Sequence, residues 1–127
     1  MGFLDNLRKS KDADIHQDWK VLDSIEQLEK VIEASKDKPV VIFKHSTTCG
    51  ISARAKHGLE SEWDFDANDF DFYYLDLLSY RPVSNKVAEV LNVIHQSPQI
   101  VVVKNGKAVF NNSHHAISVD SLKKNLS

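Results

Sequence analysis

The chain carries one cysteine, Cys49, and a lone thiol is either a small buried hydrophobe or a reactive group. Its surroundings choose between the two. Val40-Val41-Ile42-Phe43 reads as a strand, His45-Ser46-Thr47-Thr48 as a short turn, and Cys49-Gly50-Ile51-Ser52 as the start of a helix. A cysteine just ahead of a helix faces backbone N–H groups that lack intrahelical partners, and their partial positive charges stabilise a thiolate. Such a sulfur is also a good leaving group, so a mixed disulfide formed on it is cleared quickly by a second thiol. Ser52 stands where a dithiol redox motif would carry its resolving cysteine. Its hydroxyl cannot resolve a disulfide, but it can hydrogen-bond a neighbouring thiolate or the backbone, as an ordinary first-turn serine does.

The elements that must position this thiol follow from hydrophobic period and punctuation. Ser24-Ile25-Glu26-Gln27 matches a capping box, and Ile25, Leu28, Val31 and Ile32 share a face, predicting a helix that ends near Lys36, ahead of Pro39. The apolar run 40–43 is continuous and β-branched, as expected for a central strand covered on both faces. Ile51, Ala55 and Leu59 repeat at helical spacing over about 50–62, and the aromatic run 70–75 reads as a second strand, parallel to the first across the helix. A third helix starts at Pro82 or Ser84, where the helical period returns with Val83, Val87, Val90 and Leu91. Asn105-Gly106 between the runs 100–103 and 107–110 is a hairpin signal, because a type I′ turn needs positive φ at both central residues. A last helix has Ser118 as its N-cap, with Val119, Leu122 and Leu126 on one face. The expected architecture is an α/β sandwich with a four-stranded mixed sheet, a βαβ half followed by a ββα half, plus the N-terminal helix. Local sequence alone leaves the Ser97–Pro98 bond trans. In this arrangement, however, a cis proline at that junction lies beside the Cys-bearing helix terminus and leaves the preceding backbone free to pair with an extended substrate.

Composition limits the function further. A chain of 127 residues with 42% hydrophobic and 27% charged residues fits one globular domain. Residues 1–16 read as a flexible or frayed segment ahead of a domain over 17–127. Sixteen Lys and Arg against 18 Asp and Glu leave a net charge of −2 with no basic stripe, which argues against nucleic acid as a partner. No apolar run approaches a membrane span and no secretory signal is present, so a cytoplasmic chain is expected. His and Asp do not cluster at metal-ligand spacing, and one cysteine cannot build a common structural zinc site, so no metal is expected.

These residues resemble a known family. The stretch Ile42-Phe43-Lys44-His45-Ser46-Thr47-Thr48-Cys49-Gly50-Ile51-Ser52, with Ser79-Tyr80-Arg81-Pro82-Val83-Ser84-Asn85, His95-Gln96-Ser97-Pro98-Gln99 and Asn112-Ser113-His114, is similar to the monothiol bacilliredoxins, which are thioredoxin-like proteins. The resemblance spans about 19–127 and implies a thioredoxin-like fold. It also implies that Cys49 attacks a protein–bacillithiol mixed disulfide, takes the bacillithiol onto itself and releases the protein thiol. A second bacillithiol would regenerate Cys49, and a flavoprotein bacillithiol disulfide reductase would act indirectly by reducing the small disulfide. S-thiolated client proteins and a low-molecular-weight thiol are thus the implied partners, with bacillithiol a co-substrate and no cofactor bound. Cys49 is the implied catalytic residue, with Thr48, Gly50, Ser52 and His45 supporting it and Ser97 and Pro98 meeting the substrate. Gly50 stands where the family typically has proline, which loosens the helix start without removing the thiol. Lys44 and Arg81 are candidates for the anionic malate end of bacillithiol, with solvated surface charge as the alternative for each. His45 either pairs with the thiolate as an imidazolium or makes a structural hydrogen bond. His114 and His115 are further substrate-contact candidates.

Two other readings stay open. Cys-Gly-Ile-Ser is similar to the Cys-Gly-Phe-Ser of monothiol glutaredoxin-like iron–sulfur carriers. The Gly-Gly-x-Asp signature of those proteins is absent, with Asn111-Asn112-Ser113-His114 in its place. A non-catalytic thioredoxin-fold adaptor would use only the Pro98 edge, for binding.

Overall fold

The computed structural model describes residues 15–126. Five strands form one mixed sheet: β1 (Trp19–Val21), β2 (Val40–His45), β3 (Asp71–Asp76), β4 (Gln99–Lys104) and β5 (Lys107–Ser113). They lie side by side in the order β1-β3-β2-β4-β5. β2 runs parallel to β3 and antiparallel to β4, and β1 joins β3 in parallel. Four helices cover the sheet: α1 (Ile25–Ala34), α2 (Gly50–Ser61), α3 (Arg81–Leu91) and α4 (Val119–Leu126), with a short 3₁₀ turn at His114–Ala116 before α4. The expected βαβ-ββα order is present, but the sheet has one strand more than the four expected. β1 is too short to show an alternating pattern, and its pairing with β3 is what makes it a strand. Of the segment 1–16, only Ile15 and His16 fall among the described residues; Ile15 packs against the core.

Alternation along β2 divides the core in two. Val41 and Phe43 face α2 and α4, packing with Ala55, Leu59, Val119 and Leu122. Val40 and Ile42 face α1 and α3, packing with Leu28, Val31, Val83 and Val87. All six residues of β2 are buried, as a strand covered on both faces requires. Lys44 and His45, at its end, continue the alternation and are buried on opposite faces.

The local signals act as written. Ser24 caps α1, its hydroxyl accepting the Gln27 N–H at 3.0 Å. The Gln27 amide oxygen reaches back to the Asp23 N–H rather than to that of Ser24. Ser118 caps α4 by accepting the Ser121 N–H. The hairpin turns at Asn105 (φ 53) and Gly106 (φ 78), both in the left-handed region that Asn-Gly adopts at low cost. Ser35, at the end of α1, ties that turn to the domain. Its carbonyl accepts the Asn105 N–H at 2.9 Å and its hydroxyl accepts the Gly106 N–H at 2.8 Å. β5 extends beyond the expected 110 to Ser113 because Asn111, Asn112 and Ser113 pair with Val101, Ile100 and Gln99. A register shift between Val102 and Val103 leaves Val109 without a partner, which is a β-bulge on the edge strand.

Ser35 is buried and Gly106 half-buried, so removing the hydroxyl takes away the partner that holds the Gly106 N–H in the turn. Ser35→Ala is expected to destabilise the domain by about 0.5–1.5 kcal/mol, the net worth of a hydrogen bond. Urea denaturation of the two proteins measures it, and equal midpoints would mean that the hairpin turn does not depend on this contact.

Candidate active site

Cys49 is the N-cap of α2, with extended backbone (φ −107, ψ 124). It is a free thiol of intermediate exposure, and its side chain makes no capping hydrogen bond. The last turn before it is pinned by the Cys49 N–H to the Ser46 carbonyl, and the Cys49 carbonyl accepts the Ala53 N–H to open the helix. The sulfur therefore sits at the mouth of the first turn, where the sequence puts it. Gly50 is the first helical residue, and a Cβ built there meets nothing within 4 Å. Extended backbone at Cys49 is also what a residue before proline adopts, so the family's proline and this chain's glycine fit the same local geometry.

Behind the thiol lies a buried hydrogen-bond network. Ser52 is fully buried, and its hydroxyl accepts the Ser46 N–H at 3.0 Å and pairs with His45 Nδ1 at 2.7 Å. His45 is the last residue of β2 rather than part of a turn, because its carbonyl accepts the Leu77 N–H and its backbone stays in register with Asp76. Burial and the charge of Lys56 push its imidazole below the usual histidine range, against opposing pulls from Asp76, the Ser52 backbone and Glu60. The ring also packs against Phe43 and Tyr74. Ser52 and His45 thus hold the 46–49 turn from beneath. Thr48 is exposed, with its hydroxyl 3.4 Å from that of Ser46.

The Ser97–Pro98 peptide is cis, and Pro98 is buried. Lys44 pairs with Gln99 across β2 and β4, so Ser97 and Pro98 continue β4 at the end of the sheet where β2 delivers the chain to Cys49. Gln99 is fully buried, and its amide donates to the Ile94 carbonyl while accepting the Gln96 N–H, fixing the loop that carries Ser97 and Pro98. His114 N–H donates to the Pro98 carbonyl, and α2 packs against the 3₁₀ turn that holds His114 and His115.

Lys44 requires a correction. It is not a solvated surface charge: its side chain is 0% exposed and lies on the α1/α3 face, opposite His45. Its ammonium reaches the Nδ1 of His95 at 3.1 Å. Arg81 is exposed and is the first residue of α3, one position earlier than the expected start, with Pro82 in the first turn. Arg81 and Lys44 both act electrostatically on His95, so the three basic groups gather at one end of the sheet. Among the described residues no carboxylate forms an ion pair with any of them. His95 and Gln99 are thus site residues that residue type alone did not mark as functional. The only signal in the sequence was their place within the His95-Gln96-Ser97-Pro98-Gln99 stretch. No group of three or more His, Cys, Asp or Glu among the described residues could hold a metal ion.

Burial holds the Lys44 ammonium down to about 8, from an ordinary value of 10.5. The unfolded chain binds this proton more tightly than the folded one, so the contribution of Lys44 to stability grows as pH rises from about 8 to about 10.5. The unfolding free energy of the wild type minus that of Lys44→Met is expected to rise across that window by at most about 3 kcal/mol. Denaturant titrations at both ends measure it, and a difference independent of pH would show that the amine is not desolvated.

Comparison with known proteins agrees with this geometry. The family model described as monothiol bacilliredoxin BrxC matches residues 20–122. A solved structure described as a candidate oxidoreductase with a thioredoxin fold is 38% identical, with a TM-score of 0.67, over 83% of this chain and 90% of that one. The thioredoxins of Malassezia sympodialis (Mala s 13) and Fasciola hepatica are similar in fold at 23% and 20% identity, with TM-scores of 0.67 and 0.66. They are matched over 85% and 84% of this chain and 87% and 95% of their own. The resemblance carried by the motifs therefore holds across the folded domain, and this chain belongs to the monothiol bacilliredoxin family, a thiol-redox branch of the thioredoxin fold.

Proposed function

We propose that the protein removes bacillithiol from S-bacillithiolated protein cysteines in the cytoplasm, through a mixed disulfide on Cys49. The observation that carries this reading is an unpaired thiol of intermediate exposure, not hydrogen-bonded as a cap, at the mouth of α2. The Cys49 thiolate attacks the bacillithiol sulfur of the client's mixed disulfide. The disulfide bond between the client and bacillithiol sulfurs breaks, the client leaves as a thiolate, and Cys49 carries the bacillithiol. A second bacillithiol thiolate then attacks that sulfur, releasing Cys49 and forming bacillithiol disulfide, which a separate reductase returns to two thiols with two electrons. One cysteine completes this cycle, and Ser52 need not act as a resolving group. Its hydroxyl is already engaged by Ser46 and His45. Thr48 and Gly50 flank the sulfur, Ser97 offers backbone to the client, Pro98 shapes the loop beside it with its carbonyl held by His114, and His45 supports the turn. Arg81 meets the carboxylates of the small thiol, while buried Lys44 acts without touching it.

Intact mass spectrometry tests this directly. After treatment with oxidised bacillithiol the wild type is expected to gain one bacillithiol mass, lost again on adding free bacillithiol, while Cys49→Ser gains nothing. A parallel arm with oxidised glutathione sets the preference between thiols. If neither disulfide modifies Cys49, the exchange role is wrong, and the adaptor reading, in which Cys49→Ala leaves function intact, takes its place. A visible-absorption scan of anaerobically purified protein separates the exchange enzyme from a cluster carrier, which would be coloured.

A further inference from the structure

The contact between Lys44 and His95 sets the direction of the imidazole. An ammonium has no lone pair, so at 3.1 Å it can only donate, and His95 Nδ1 must be the acceptor. The ring proton then lies on Nε2. Lys44 is fully buried while His95 is exposed, so the donor fixed from inside the domain is presented outward. Burial and the charges of Lys44 and Arg81 favour the neutral ring, which keeps this tautomer. Arg81 starts α3 on the same side of the sheet, and no carboxylate of the described residues pairs with Lys44, His95 or Arg81. Gln99 holds the backbone on either side of His95, at Ile94 and Gln96, so the ring rides on a fixed loop that leads into Ser97 and Pro98.

The geometry points to His95 as a specificity-determining residue: its outward Nε2–H, with the Arg81 guanidinium, receives a carboxylate of the low-molecular-weight thiol disulfide, and Lys44 is the positioning residue that orients it. This rests on the exchange reading above and names a residue that recognises its small substrate. A cation fork and a neutral N–H together suit a carboxylate, because each supplies a donor and only one adds charge. A neutral disulfide has no carboxylate to give this pair and so forfeits the charge-assisted bonds.

The test compares second-order rates of Cys49 mixed-disulfide formation, read by quenched intact mass, with two probes: oxidised bacillithiol, which carries carboxylates, and bis(2-hydroxyethyl) disulfide, which is neutral. His95→Ala is expected to slow the bacillithiol arm about tenfold, the scale of one lost hydrogen bond to a charged group. The neutral arm should stay unchanged. His95→Gln, which keeps an N–H donor, should recover most of the loss, and Lys44→Met should slow the bacillithiol arm more than the neutral one. His95 is exposed, so its variants keep the test decisive even if Lys44→Met fails to fold. Equal slowing in both arms, or no slowing in either, overturns the assignment to His95. Failure of the wild type to form an adduct with either probe overturns the exchange reading itself, and with it this inference.

Discussion

A strand in the middle of a sheet that is covered on both faces has no side open to water, yet here it must end by handing the chain to a thiol that solvent can reach. That conflict falls on Lys44 and His45, the last two residues of β2, which are polar and buried. Polar groups taken from water cost free energy unless each finds a partner. Both do, on opposite faces: His45 meets Ser52 of α2, and Lys44 meets His95 of the loop before β4. The two segments that frame Cys49, the helix start and the cis-proline loop, are thereby fastened to the same strand end. The rest of the domain supplies the packing that keeps β2 central.

This division also separates two tasks. On the α2 face the Ser46–Ser52–His45 network shapes the turn that carries the sulfur. On the α3 face Lys44, His95 and Arg81 gather positive charge and donors without an acidic partner among the described residues. The turn that carries the sulfur and the basic cluster thus draw on different faces of one sheet, joined where the strands end.

Much of the architecture was legible because local signals and tertiary packing agree. The unbroken apolar run in β2, the Asn-Gly turn and the Ser24 and Ser118 caps each state their element without help, while the proline junction needed the fold around it. Elsewhere the signal was weak for physical reasons. Trp19-Lys20-Val21 is too short to display a period, and β3 alone makes it a strand. Asn111, Asn112 and Ser113 are poor strand formers, drawn into β5 by pairing with β4. For the site, the position of Cys49 could be read, but the burial of Lys44 could not. Lysine is almost never buried unless paired, and its partner here lies 51 residues away in sequence.

The two borders of the sheet bear on how the protein can meet other chains. β1 offers three residues, and β5 is interrupted at Val109, where one residue bows out between Ala108 and Phe110. A neighbouring polypeptide seeking to add itself as a sixth strand would find no long, flat run of free amides along either margin. With these described borders, copies of the domain have little means of stacking margin to margin into fibres.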